Sequence, residues 1–109
     1  MIGGKEKYAL ITGASSGIGY ELAKLLANDG KDIVVVARSR DKLEDLKRDV
    51  ENKHGTKVKV LATDLSNPRS PLEIFTELEQ EYIDVDVLVN NAGFGVYGII
   101  FDTFQPRLN

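Results

Sequence analysis

Residues 8–19 read Tyr8-Ala9-Leu10-Ile11-Thr12-Gly13-Ala14-Ser15-Ser16-Gly17-Ile18-Gly19, an apolar run that breaks into three glycines and two serines. A stretch with helical spacing, Tyr20 to Ala27, follows at once. Glycine is unfavourable in strands and costs about 1 kcal/mol against alanine inside a helix. A cluster of three therefore calls for backbone conformations closed to other residues, or for something that approaches the backbone closely. A strand running into a glycine-rich turn that opens a helix satisfies both conditions. The free N–H groups and the positive dipole end of such a helix attract an anion, and glycine clears the approach. The loop is thus a candidate phosphate cradle, with Gly13, Gly17, Ile18 and Gly19 lending backbone and Ser15 and Ser16 able to donate hydroxyls. Its Gly-x-x-x-Gly-x-Gly spacing differs from Gly-x-Gly-x-x-Gly, and it lacks the Gly-Lys-Ser/Thr ending of a P-loop. ATP hydrolysis loses ground accordingly.

Working outward, three more β-branched runs recur at Ile33–Ala37, Val58–Ala62 and Val85–Asn90, which with Tyr8–Thr12 make four expected strands. Between them lie three stretches with helical spacing: Ile18, Leu22, Leu25 and Leu26; Leu43, Leu46 and Val50; and Leu72, Phe75, Leu78 and Tyr82. Asn28-Asp29-Gly30 closes the first helix, Asn52 to Gly55 closes the second, and Asn67-Pro68 opens the third. Runs such as Asp32–Ala37 and Asp86–Asn90 do not alternate polar with apolar. They read as parallel strands covered on both faces, whereas the alternating start of Lys57–Ala62 reads as an edge. The expected fold is α/β, a doubly wound parallel sheet built by right-handed crossovers.

The totals agree with one soluble domain. The chain has 109 residues, 42% hydrophobic and 28% charged, with no apolar run long enough to span a bilayer. A net charge of −3 with interleaved signs argues against nucleic acid as a partner. Cysteine is absent, which removes disulfides and thiolate chemistry, and no cluster suggests a metal. The first dozen residues lack the apolar core of a signal peptide, so a cytoplasmic location and no membrane are expected.

Thr12-Gly13-Ala14-Ser15-Ser16-Gly17-Ile18-Gly19, together with Asn90-Asn91-Ala92-Gly93, resembles the short-chain dehydrogenase/reductase family, whose amino-terminal signatures are TGxxxGxG and NNAG. The resemblance implies a Rossmann-like sheet in the order 3-2-1-4, with three helices between the strands. It implies a nicotinamide dinucleotide, its pyrophosphate over Gly13 to Gly19, with Asn90 to Gly93 supporting the sheet and touching the nicotinamide-side ribose. It further implies that Asp64 accepts from the adenine amino group while Leu65 packs on the ring. Read without the family, Asp64 is an ordinary turn or helix-start aspartate. At the end of the second strand a carboxylate selects NAD, whereas an arginine attracts the 2′-phosphate of NADP. Here Arg38 and Ser39, with Arg40 nearby, favour NADP over NAD. The alternative is a solvated charge run in which Asp41 pairs with either arginine.

The family's catalytic tyrosine and lysine, four residues apart, lie beyond NNAG, and this chain stops sixteen residues after Gly93. Tyr20 and Lys24 have that spacing but belong to the first helix, and Tyr97 is followed at the required distance by Phe101. No catalytic residue is therefore assigned. The expected organisation is a dinucleotide-binding half-domain over residues 1–93 and an apolar tail over residues 94–109, the whole being truncated before a catalytic half. The expected function is the NADP(H)-binding portion of an oxidoreductase that moves hydride between nicotinamide and a carbonyl or alcohol. The alternative is a non-catalytic, nucleotide-binding or self-associating module. A homo-oligomer is expected through the exposed edge of the fourth strand and the tail's Phe94, Tyr97, Ile99, Ile100, Phe101 and Phe104.

Overall fold

In a computed structural model of the chain, residues 6–15 and 17–91 are described; Ser16, Ala92, Gly93 and the 94–109 tail lie outside them. Four strands alternate with three helices: β1 (Glu6–Thr12), α1 (Gly17–Asn28), β2 (Ile33–Ala37), α2 (Arg40–His54), β3 (Val58–Ala62), α3 (Ser70–Gln80) and β4 (Ile83–Val89). The strands form one parallel sheet in the order β3-β2-β1-β4, the expected doubly wound arrangement.

Two apolar layers flank the sheet. Ala9, Ile11, Val35 and Ala37 pack with Ala23 and Ala27 of α1 and with Leu43, Leu46 and Val50 of α2. On the other face Leu10, Val34, Val36 and Val85 pack with Ile74 and Leu78 of α3. Every side chain of β2 is buried, as its unbroken run of apolar residues requires. β3 is an edge strand, in keeping with its alternating start.

Glycine ends two helices as its freedom at positive φ allows. Gly55 sits at φ 71° after α2 and bonds back to Glu51 O, and Gly30 at φ 90° accompanies the Lys31 N–H to Leu26 O bond that closes α1. The third helix starts later than Asn67-Pro68 suggests, at Ser70 with Pro71 in its first turn. Asn67 instead makes the turn before it, its Oδ1 accepting the Arg69 N–H at 2.9 Å.

Two helix faces differ from the spacing of large apolar residues. α1 buries Gly19, Ala23 and Ala27, while Ile18 and Leu25 are exposed. α3 buries Pro71, Ile74 and Leu78, while Leu72 is exposed and Phe75 only half-buried. The small residues of α1 let its backbone approach the sheet closely, which pushes the larger side chains to its flank. Tyr82, expected as the end of the third helix, lies between α3 and β4 at φ 57°, and β4 begins directly after it at Ile83.

Candidate nucleotide site at the carboxyl ends of the strands

Because the four strands are parallel, the segments that follow them gather along one edge of the sheet. These are the 13–19 loop after β1, Arg38 and Ser39 after β2, Asp64 and Leu65 after β3, and Asn90 and Asn91 after β4. β1 lies between β2 and β4, where the chain reverses its direction of travel across the sheet. Such a switch point leaves a crevice between loops that diverge, the usual ligand position in open α/β sheets.

The three glycines of the loop do different work. Gly13 and Gly17 have φ of 64° and 61°, which side chains resist. A Cβ on Gly17 would meet nothing within 4 Å, so the loop at that point is open to whatever approaches it. Gly19 is buried in the first turn of α1 with ordinary φ, and a Cβ there would strike the Gly13 carbonyl oxygen and lie 2.9 Å from Asn91 Nδ2. Gly19 is thus needed for packing of the loop on itself and on the β4 terminus. The loop is also fixed to the sheet by the Ala14 N–H, which donates to Val36 O at 3.3 Å.

Thr12, fully buried at the end of β1, ties the loop to β4. Its hydroxyl donates to Asn90 Oδ1 at 2.7 Å and accepts from the Asn91 N–H at 2.8 Å. Thr12 opens the glycine motif, but the motif alone gives it no role. A polar residue closing an apolar strand was the available signal, since a buried hydroxyl must find partners.

Arg38 is exposed and Ser39 half-buried. Ser39 is the N-cap residue of α2, but its side chain makes no capping bond. Arg40 pairs with Glu44 at 3.4 Å, one turn along α2. Asp64 is exposed; the Ser66 hydroxyl and then the Ser66 N–H, at 2.7 and 2.9 Å, donate to its Oδ1 and hold its carboxyl below the usual aspartate range. The Arg38 charge adds a smaller pull in the same direction. Asp64 therefore builds the turn before α3, its carbonyl also accepting from the Ser70 hydroxyl, whatever else its carboxylate meets. Leu65 is 3% exposed and belongs to the α3-side core, so its side chain is not an open platform. Tyr20 is half-buried on α1 with the Lys24 ammonium 5.4 Å from its ring centre, a contact within one helix face.

Among the described residues no group of three or more His, Cys, Asp or Glu could hold a metal ion, and no helix is long and apolar enough to cross a membrane.

Residues 7–105 match the family model of the short chain dehydrogenases. The chain belongs to that family. It is 39% identical over 90 residues to a very-long-chain 3-oxoacyl-CoA reductase of Kluyveromyces lactis, covering 83% of this chain and 26% of that protein. It is 35% identical over 101 residues to a fatty acyl-CoA reductase of Acinetobacter baylyi, covering 93% of this chain and 34% of that protein. Among solved structures it resembles L-sorbose reductase from Gluconobacter frateurii complexed with NADPH and L-sorbose (TM-score 0.75, 38% identity, 86% of this chain and 36% of that one). This short-chain dehydrogenase chain spans about a quarter to a third of the length of the curated relatives named.

Proposed function

We propose that this chain is the NADP(H)-binding portion of an oxidoreductase that transfers hydride between nicotinamide and a carbonyl or alcohol. The observation that carries the reading is the open, glycine-built turn at the switch point of the sheet, with Arg38 and Ser39 at the end of the neighbouring strand. The residues present fit a dinucleotide: Gly17 leaves unfilled space above the start of α1, and an uncapped Ser39 and exposed Arg38 stand one strand away. The Gly13–Gly19 backbone, with Ser15 and Ser16, would hold the pyrophosphate against the positive end of α1. Arg38 and Ser39 would take the 2′-phosphate, which is the basis for preferring NADP over NAD. The Asp64 carboxylate would accept from the adenine amino group, with Leu65 contributing backbone. Asn90 and Asn91, with Ala92 and Gly93, would border the nicotinamide-side ribose.

When bound, the dinucleotide supplies a hydride at its nicotinamide ring. This chain's share is to bind and orient it. Residues 1–93 carry that share; a second reading is a nucleotide-binding module without turnover. A very-long-chain 3-oxoacyl-CoA reductase among the relatives and an L-sorbose reductase among the structures make reduction of a carbonyl the class to assay first.

Calorimetric titration with NADPH and NADH tests the proposal. Saturable binding of NADPH, weakened about tenfold or more by Arg38→Ala while NADH binding is unchanged, is the expected result. Equal affinity for the two nucleotides in both proteins would remove the preference for NADP, and no binding of either would remove the function. Binding without oxidation of NADPH by any carbonyl compound would favour the module.

A further inference from the structure

β4 does not run evenly beside β1. Tyr8 stands opposite Val85 but Ala9 opposite Val87, so Asp86 is an extra residue, a β-bulge. Beyond it Leu10 pairs with Leu88 and Ile11 with Val89. The faces of the sheet record the same step. Ile83 and Val85 belong to the α3-side core, whereas Val89 packs against the layer under α1 and α2. Simple alternation would put Val85 and Val89 on one face.

The apolar residues do not explain why the bulge sits at Asp86. Val87, Leu88 and Val89 are all aliphatic, and moving their pairing by one residue would still offer aliphatic side chains to both faces. The polar groups on either side of them do discriminate. In an unbroken pairing Thr12 would fall opposite Val89. With the bulge it meets Asn90, and its hydroxyl donates to Asn90 Oδ1 and accepts from the Asn91 N–H. At the bulge itself the Lys31 ammonium reaches both carboxylate oxygens of Asp86, at 2.6 and 2.8 Å. Lys31 is held in its turn, because its N–H donates to Leu26 O at the end of α1. The next residue, Asp32, accepts at its carbonyl from the Ala9 N–H at 2.9 Å, on the β1 residue where the register shifts.

We propose that Lys31 and Asp86 are positioning residues for the strand-end site. Their ion pair pins the extra residue of β4 beside Ala9, and so sets Asn90 and Asn91 against Thr12 and the first turn of α1. A partly exposed ion pair contributes little to the stability of a whole domain. Two registers that bury similar aliphatic side chains differ by little, however, and a small bias selects between them. The lock concerns the sheet alone, and its consequence for NADP(H) rests on the function proposed above.

The test is NMR of the full chain without nucleotide, reading the cross-strand contacts of Ile11 and Thr12, followed by calorimetry with NADPH. Lys31→Met and Asp86→Asn, which remove the charge pair but little volume, should shift the population towards contacts of Ile11 with Leu88 and of Thr12 with Val89. NADPH binding should weaken about tenfold in both. Lys31→Arg should keep the parent's contacts and affinity. Deleting Asp86 closes the bulge and leaves residues 87–91 in their present pairing, so the deletion combined with Lys31→Met should restore both. A lysine that served only the stability of the fold would gain nothing from that deletion. Folded Lys31→Met and Asp86→Asn proteins that keep Thr12 opposite Asn90 would overturn the proposal. Should either fail to fold, a deletion that does not restore Lys31→Met would overturn it equally. Slipped contacts with unchanged NADPH affinity would refute the positioning role. A parent chain that binds no NADPH would remove the nucleotide reading, while the contacts of Thr12 would still decide the lock.

Discussion

Replacing Gly19 by alanine asks whether the third glycine of the loop serves packing. A methyl group there meets the Gly13 carbonyl oxygen well inside van der Waals contact, and lies 2.9 Å from both the Gly13 carbonyl carbon and Asn91 Nδ2. Two of these atoms are backbone, so rotamer changes do not relieve the clash; α1 must lift from the loop or the loop from β4. Overpacking of this kind costs about 1–3 kcal/mol, and a backbone obstacle argues for the upper end. Alanine returns about 1 kcal/mol of helix propensity, which leaves a net loss of roughly 2 kcal/mol. Gly17→Ala is the control: it has open space but φ of 61°, a strain of about 1–2 kcal/mol. The two can be separated by asparagine, which tolerates the left-handed region. Gly17→Asn should recover most of the loss, whereas Gly19→Asn should be at least as damaging as Gly19→Ala. Urea midpoints measured by circular dichroism provide the comparison. A Gly19→Ala protein as stable as the parent would refute the packing argument.

Thr12→Val keeps the shape of the side chain but leaves the Asn91 N–H and Asn90 Oδ1 without their hydroxyl partner. A loss of about 1–3 kcal/mol is expected in urea unfolding. The Thr56 hydroxyl is buried with no hydrogen-bond partner among the described residues, so Thr56→Val should be neutral or stabilising by up to about 1 kcal/mol in the same assay. Burial lowers the Lys59 pKa, but bonds and charge from Glu77 and Glu81 outweigh it and raise the value above that of an ordinary lysine. Its contribution to stability is therefore complete below the ordinary lysine value and is lost as pH rises through the folded one. Lys59→Gln should remove that alkaline component of the unfolding curve.

How far the fold was legible follows from where each signal lies. β2 and β3 could be read to the residue because their boundaries are local, a β-branched run between turn residues. β1 and β4 each begin two residues earlier than their apolar runs suggest, because Glu6 pairs with Ile83 across the sheet, a contact between distant parts of the chain. α2 buries the three residues its spacing marks, Leu43, Leu46 and Val50. α1 does not, because hydrophobic spacing weighs side chains by size while close helix–sheet packing selects the small ones at Gly19, Ala23 and Ala27. In the candidate site the loop and the strand-end positions of Arg38 and Asp64 were accessible from motif and spacing. The Thr12 clasp and the burial of Leu65 were not, since both depend on neighbours from another strand or helix.

The central claim is that the 13–19 loop and the β2 terminus together hold a nicotinamide dinucleotide phosphate. Backbone amide NMR during titration with NADPH tests it most directly. Saturating shifts at Gly13, Ser15, Gly17, Ile18 and Gly19, accompanied by Arg38 and Ser39, with residues of α3 beyond its first turn unmoved, are the result the account predicts. Shifts that avoid the glycine loop, or a spectrum unchanged at millimolar NADPH, would contradict it.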